Sequence, residues 1–257
     1  MIDSHCHLEQ KDYDKDRDDV IEKCKKELKV VITCCADPRD WKLTKEIAEK
    51  HKGFVFPIAG IHPEFIKDIA KKEIDDFVEV IKKEAKAGNI VGIGEIGLDY
   101  FWIKEAVWRD KQKDLFLRFI DIAKKLDFPL IVHSRDAFLE CVVTLEQKRM
   151  QGRKVLMHLF GDKKLIPRIV KNGWLVSIGP GILKSKTMKK IARDIPLNNL
   201  LLETDSPWFG MGERGLPTNV KKAAEKVAEI KKIPIKEVEK QTDLNAIKFF
   251  RLKLNRH

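Results

Sequence analysis

Met1-Ile2-Asp3-Ser4-His5-Cys6-His7 is the stretch from which the rest of the chain can be read. Residues 2–7 read as a short strand, and side chains on a strand alternate faces with period two. His5 and His7 then project to one side, where two imidazoles can grip a single metal ion. Asp3 shares that side one step deeper, and Ser4 and Cys6 face away. A strand ending in His-x-His suggests a metal-dependent hydrolase built on a barrel, provided that other strand ends supply the missing ligands.

Outward from that stretch, short apolar runs alternate with longer amphipathic ones about eight times. The expected strands are 2–7, 29–34, 54–60, 90–94, 129–133, 154–158, 173–178 and 199–204. They are rich in Val, Ile and Leu without strict polar alternation, as parallel strands covered on both faces should be. Helices are expected near 14–28, 39–51, 68–87, 105–127, 136–150, 163–171, 184–194 and 217–231. Asp37-Pro38 makes a helix start, with Asp as N-cap and Pro at the first helical position.

Repeated strand–helix alternation predicts an α/β chain with a parallel sheet. Eight units predict closure into a (β/α)8 TIM barrel, a fold of roughly 250 residues. The 257 residues fit that size. The tail adds a C-terminal helix pair, 234–241 and 243–253. Pro234 opens the first and Thr242-Asp243 caps the second, whose stripe of Leu244, Ile247, Phe250 and Leu254 is expected to pack on the barrel. With no internal repeat, low-complexity segment or Pro/Gly/Ser-rich linker, residues 1–257 read as one domain, expected to be a monomer.

Hydrophobic residues make up 43% of the chain, enough for a substantial core, which excludes the disordered class. No apolar run reaches the ~20 residues of a membrane span, and no basic region followed by an apolar stretch suggests a leader. The five cysteines (Cys6, Cys24, Cys34, Cys35, Cys141) are odd in number and lack CxxC spacing, as expected of reduced, packed thiols in a cytoplasmic protein. The net charge of +11 has two readings. It suits a polyanionic partner such as nucleic acid, or it reflects Lys and Glu interleaved on solvated helix faces, as on a heat-adapted surface.

In such a barrel, functional groups belong at the C-terminal ends of the strands. Polar residues that strand cores normally exclude do fall there. They are His5 and His7, His62 in Gly60-Ile61-His62-Pro63, and Glu95 in Gly94-Glu95-Ile96-Gly97-Leu98-Asp99-Tyr100. His133 follows in His133-Ser134-Arg135, then His158 after Leu156-Met157, and Asp205 in Glu203-Thr204-Asp205-Ser206-Pro207. Five of the seven histidines thus sit at strand ends, leaving His51 and His257 aside.

Imidazole with carboxylate suits Zn²⁺, Mn²⁺, Co²⁺, Fe²⁺ or, with more water, Mg²⁺. Six groups exceed one site but suit two divalent ions about 3.5–4 Å apart with a shared carboxylate. His5, His7 and Asp205 are expected to hold the first ion and His133 with His158 the second, with Glu95 bridging. Such a centre lowers the pKa of bound water and stabilises the attacking and leaving oxygens of an in-line displacement.

Taken together, Asp3-Ser4-His5-Cys6-His7-Leu8, Gly60-Ile61-His62-Pro63, Gly94 to Tyr100, His133-Ser134-Arg135-Asp136-Ala137 and Glu203 to Pro207 resemble the TatD-type metal-dependent deoxyribonucleases of the amidohydrolase superfamily. The resemblance spans nearly the whole chain, with the motifs in family order. It implies a (β/α)8 barrel, divalent metals and hydrolysis of DNA phosphodiesters, with a 3'-to-5' exonuclease on single-stranded ends as the expected form. It implies the same ligands, with Asp205 also a proton acceptor. Where some related barrels carry a modified lysine as bridge, this chain has Glu95. Two loops depart from the family pattern. A His-Cys-Phe-Ser-Gly-like stretch is here His158-Leu159-Phe160-Gly161-Asp162, and an Arg-Asn-Glu-Pro-like loop is Arg214-Gly215-Leu216-Pro217. Both fall at the mouth and bear on substrate preference.

Around the metals, His62 is expected to contact phosphate or donate from just outside the ligand shell. Arg135 can meet a phosphate bidentately or form a salt bridge at a helix start. Glu203 is expected to hydrogen-bond within the barrel and Asp99 to order its loop. Tyr100-Phe101-Trp102 and Trp208-Phe209 can stack on unpaired bases or pack as a lid, with Tyr100 counted among the substrate contacts. Two other functions stay open from the residues alone. One is ester or amide hydrolysis on the same metals, such as an aminoacyl-tRNA deacylase or a lactonase, and the other is a non-catalytic nucleic-acid-binding barrel.

Overall fold

The computed structural model describes residues 1–210 and 212–254; His257 lies outside them. Among the described residues, eight strands form one parallel sheet in sequence order. They are β1 (Ile2–Cys6), β2 (Val30–Cys35), β3 (Val55–Ala59), β4 (Gly92–Asp99), β5 (Leu130–Arg135), β6 (Val155–Met157), β7 (Leu175–Ile178) and β8 (Leu200–Leu202). Around them run α1 (Arg17–Glu27), α2 (Trp41–Lys50), α3 (Lys71–Ala87), α4 (Ala106–Leu126), α5 (Phe138–Gln147), α6 (Ile166–Lys171), α7 (Lys186–Asp194) and α8 (Val220–Lys231). This is the expected (β/α)8 barrel.

The barrel is nearly closed. Among the described residues no regular ladder joins β8 to β1; the seam is held by individual bonds. His5 O accepts from Asp205 N (2.9 Å), and His7 N donates to Ser206 O (2.8 Å). Asp3 accepts from the backbone N–H (3.0 Å) and hydroxyl (2.5 Å) of Thr204. The expectation that Asp3 shares a face with His5 is therefore corrected: Asp3 is spent on the seam. A bulge in β1 between Asp3 and Cys6 breaks strict alternation. It lets Ile2 join the inner aliphatic cluster while Cys6 joins the outer one. A second bulge, between Ile93 and Ile96, does the same around Glu95. A bulge bends its strand and re-aims a side chain, and here both fall beside site residues.

The tail departs from the expected helix pair. It is one helix, α9 (Ile235–Phe250). The Thr242 hydroxyl bonds back to Val238 O (2.8 Å), so it caps nothing, and Asp243 is used elsewhere. Asp243 accepts from Ile2 N (2.8 Å), pairs with the Met1 amino group (3.5 Å) and meets Lys29 Nζ (2.8 Å). The helix closes the end of the barrel away from the site, where Ala246, Phe249 and Phe250 pack on Ile2, Ile32, Ile58 and Leu201. The helix packs on the barrel as expected, but Leu244 points out and Phe249 takes its place.

Two glycines fix how closely β4 approaches β5. Gly97 holds φ 145°, and a Cβ there would lie 2.0 Å from His133 O. Gly94 holds φ 151°, with Ile131 O 2.5 Å from the same hypothetical atom. Gly97→Ala should therefore push β5 and His133 outward. We expect a loss of about 2–3 kcal/mol and a fall in Tm of roughly 5–10 °C, read by calorimetry. An unchanged Tm would mean that the two strands are not held this tightly.

Candidate metal centre

The ends of β1, β4, β5, β6 and β8 bring four imidazoles and two carboxylates together at the C-terminal end of the barrel. His5 and His7 approach through Nε2, 3.1 Å apart. Glu95 stands between two sets of nitrogens. Its Oε2 lies 3.3 Å from His5 Nε2 and 3.9 Å from His7 Nε2. Its Oε1 lies 2.7 Å from His133 Nδ1 and 3.4 Å from His158 Nε2. Asp205, following β8 with φ 53°, turns Oδ1 to within 3.3 Å of His7, 3.8 Å of His5 and 3.9 Å of His158. A non-glycine residue in left-handed backbone is costly and marks a position that its surroundings dictate.

Each of the six groups named from the sequence is thus in one cluster. Within it, sets of donor atoms lie within 4.8 Å of one another: His5, His7, Glu95 and Cys34; His5, His158 and Asp205; His62, Glu95 and His133. Nitrogen and carboxylate donors in this arrangement fit divalent transition metals. The Nδ1 of His5 is buried with no hydrogen-bond partner among the described residues. Cys34 was read from the sequence only as a packed thiol; its inward position on β2 is set by the register with β1 and β3.

Outer carboxylates fix the tautomers. His7 Nδ1 meets Glu9 Oε1 (3.1 Å), His158 Nδ1 meets Glu203 Oε2 (2.9 Å) and His133 Nε2 meets Asp99 Oδ2 (2.9 Å). Such partners orient a ligating imidazole and raise its basicity. Burial alone would lower the pKa of His158, but the charges of Glu203 and Glu95 outweigh it and hold the ring at about 10. His133 is likewise raised, burial being overcome by Asp99 and Glu95, and His7 is raised well up by Asp205 and Glu9. Glu95 is pulled well down despite burial, chiefly by His158 and His62.

Glu9 was missed by the sequence reading, as was the bond from His133 to Asp99. The carboxylate two residues after His7 was the available signal. Glu203 stays within the barrel, as expected, and also accepts from Leu159 N (2.9 Å). Asp99 orders its loop, as expected, by accepting from Phe101 N and Trp102 N.

His62 is built differently. Its Nδ1 accepts from Glu64 N (3.2 Å), capping the 3-10 turn Pro63–Lys67. The proton of the neutral ring therefore sits on Nε2, which points at His133 Nδ1 (3.1 Å) and Glu95 Oε1 (3.6 Å). Burial and the neighbouring His133 depress its pKa to about 3, so it stays neutral.

A cleft of about 740 Å³ opens above these groups. Its walls include Arg135, Trp102, Phe138, Leu159, Trp208 and Phe209. Trp102 and Trp208 are about half exposed, and Trp208 also packs edge-on to His7. The Arg135 guanidinium lies 3.8 Å from the Phe101 ring centre. Tyr100, expected at the substrate, is a correction. Its hydroxyl donates to Glu140 (2.9 Å), Arg109 covers its ring, and it is not part of the cleft wall.

These protonation directions have a measurable consequence. Ligating imidazoles must shed their protons, and neighbouring carboxylates raise His7, His133 and His158, the last to about 10, so a cation competes with protons for the site. Affinity for Zn²⁺ or Mn²⁺ should rise with pH from 6 towards 9. Calorimetric titration in two buffers of different ionisation heat should count roughly one proton or more released per ion at pH 7. Binding with no pH dependence and no proton release would place the ions elsewhere.

Comparison with known proteins agrees with the geometry. The family model for TatD related DNases matches residues 2–251. The human protein named "Deoxyribonuclease TATDN3" is 33% identical, over 97% of this chain and 94% of its own length. The Bacillus subtilis "Uncharacterized metal-dependent hydrolase YabD" is 31% identical over 98% of this chain and 99% of its own length. Among solved structures, the YJJV TatD homolog of Escherichia coli K12 superposes with a TM-score of 0.87 at 22% identity, covering 98% of each chain. Among the described residues, no helix is long and apolar enough to cross a membrane. The chain belongs to the TatD related DNase family and is a metal-dependent hydrolase.

Proposed function

We propose that this hydrolase cleaves the phosphodiester bonds of DNA, removing nucleotides from single-stranded ends in the 3'-to-5' direction with two divalent ions per chain. His5, His7 and Asp205 would hold one ion and His133 with His158 the other, with Glu95 shared. One observation carries the reading: the two oxygens of Glu95 face two different sets of imidazoles. A carboxylate serving one ion has no need to divide in this way. When bound, such a pair would polarise a phosphoryl oxygen and bring the pKa of a coordinated water towards neutrality. The human relative's name supports DNA as the substrate, and the motif resemblance underlies the polarity.

The chain's own groups then have distinct tasks. Asp205, held ionised mainly by its bond to His7, accepts the proton of the attacking water. His62 presents Nε2–H to a non-bridging phosphate oxygen, a role for which a neutral ring with its other nitrogen already occupied is preset. Arg135 lies on the cleft wall, where its fork can meet the next phosphate along the strand. Trp102, Trp208 and Phe209 offer exposed ring faces to bases, and only an unpaired strand presents base faces for stacking.

The test compares three substrates under one metal: a single-stranded oligonucleotide, bis(4-nitrophenyl) phosphate and 4-nitrophenyl acetate. We expect both phosphodiesters to be turned over faster than the ester. Asp205→Asn should lower kcat by about 10²–10⁴-fold, and Glu95→Gln by a comparable factor with loss of bound metal. His62→Leu should cost about 10²-fold in kcat, while His62→Gln, which keeps an N–H donor, should recover much of it. Faster turnover of the carboxylic ester would overturn the phosphodiesterase reading. Full activity in Glu95→Gln would overturn the shared-carboxylate assignment.

A further inference from the structure

The barrel carries its charge unevenly around the mouth. Residues 159–194, from the end of β6 through α7, hold nine Lys and Arg against two Asp, a net +7, whereas the whole chain is +11. Residues 9–19, in the connection from β1 into α1, hold six Asp and Glu against three Lys and Arg. Helices of such a barrel run back against their strands, so helix N-termini lie on the site face. Helix α7 begins at Lys186, directly after the 3-10 turn Pro180–Leu183. Its first turn places Met188 in the cleft wall, close to Gly181 and, beyond it, Phe209.

Lys184, Lys186 and Lys190 surround that methionine and are exposed, with Lys189 half-buried beside them. None of the four forms an ion pair among the described residues, whereas Arg168 and Arg193 in the same segment are taken by Glu146 and Asp194. Asp162, the other acid of the segment, is occupied by the backbone N–H of Lys164. Close ion pairs hold many lysines elsewhere on this surface, as at Lys50–Asp18 (2.6 Å) and Lys67–Glu105 (2.7 Å). Cations gathered at a helix N-terminus also oppose the helix dipole, so folding alone does not favour them there. On the other side of the mouth, the β2 and β3 loops add Asp37 and Glu64 to the cleft wall.

We propose that Lys184, Lys186, Lys189 and Lys190 form a track for the phosphate backbone of a nucleic-acid strand leaving the metal centre over the β7–α7 side. The inference rests on the phosphodiesterase reading above and gives the substrate a direction. The strand passes Met188 and Phe209 onto the lysines and is kept off the acidic β1–β3 side by repulsion. Small phosphodiesters need no such track, so the lysines act on long substrates alone.

The experiment replaces the four together by glutamate (Lys184→Glu, Lys186→Glu, Lys189→Glu, Lys190→Glu). Acids suit the first turn of a helix, so the fold should tolerate the change. A control reverses four exposed lysines at the far end of the barrel or its helices: Lys52, Lys86, Lys125 and Lys236. Binding of a fluorescein-labelled, phosphorothioate-linked single strand of about 20 nucleotides is read by anisotropy across salt, together with turnover of bis(4-nitrophenyl) phosphate. The track variant should bind the strand at least about 10-fold more weakly and lose about 2 from the slope of log K against log salt. Its turnover of the small phosphodiester and its Tm should be unchanged, and the control should bind nearly as well as the parent.

Equal losses in the control would reduce the effect to net charge and overturn the track. So would an unaltered salt slope in the track variant, or displacement of the strand by polyglutamate of matched charge as effectively as by unlabelled DNA. Binding is measured without cleavage, so a parent protein that cuts neither phosphodiester would overturn the phosphodiesterase reading while the anisotropy still judges the track.

Discussion

The carboxylate of Glu95, buried among imidazoles, is the constraint around which the rest of the structure is arranged. An anion removed from water is expensive unless opposite charge or donors meet it closely. Here His133 and His158 face one oxygen and His5 the other, and Glu95 remains well below the ordinary carboxylate range. The cost restricts where such a group can sit. Below it the barrel is filled with Ile2, Ile32, Ile58, Ile131 and Leu201 and sealed by Phe249 and Phe250 of α9. The clustered imidazoles and carboxylates of the site lie at the other end. In such an interior each interaction is less screened than in water, so satisfied groups are held firmly and unsatisfied ones are costly.

Much of this was legible in the chain because the barrel gathers its histidines at strand ends. A histidine following Leu-Ile-Val or Leu-Met is out of character for a strand core, and five such positions identify one face. Period-two logic correctly pairs His5 with His7. It fails for Asp3, because the bulge between Asp3 and Cys6 depends on β1 bridging the β2 ladder and the irregular seam with β8. That tertiary requirement has no local signature. Likewise, β4 extends to Asp99 although its glycines look like strand breakers. The absent side chains serve close approach to β5, which a single strand's sequence does not reveal.

The tail shows the opposite error. Thr242-Asp243 has the composition of a helix start, and in isolation the side chains would favour one. The amino group of Met1 and the N–H of Ile2 compete for Asp243 and win. The helix therefore runs through, and the face it buries is shifted by a residue from the one that the apolar stripe suggested. Contacts between residues 241 apart in sequence override a local preference worth about 1 kcal/mol.

The imidazoles illustrate what motif position cannot settle and outer hydrogen bonds can. His62 and His133 both follow strand ends and point into one cluster, so sequence spacing treats them alike. Their partners differ in kind. His133 gives its Nε2 to Asp99, an anion that draws a proton to that nitrogen and leaves Nδ1 free to donate electrons towards the site. His62 gives its Nδ1 to a backbone N–H, which takes the lone pair and leaves the proton on Nε2, facing inward. One ring is thus suited to a cation and the other to an anion, although the two lie 3.1 Å apart. A centre that must hold metals and receive a phosphate needs both kinds, and the distinction is made by one carboxylate and one amide outside it.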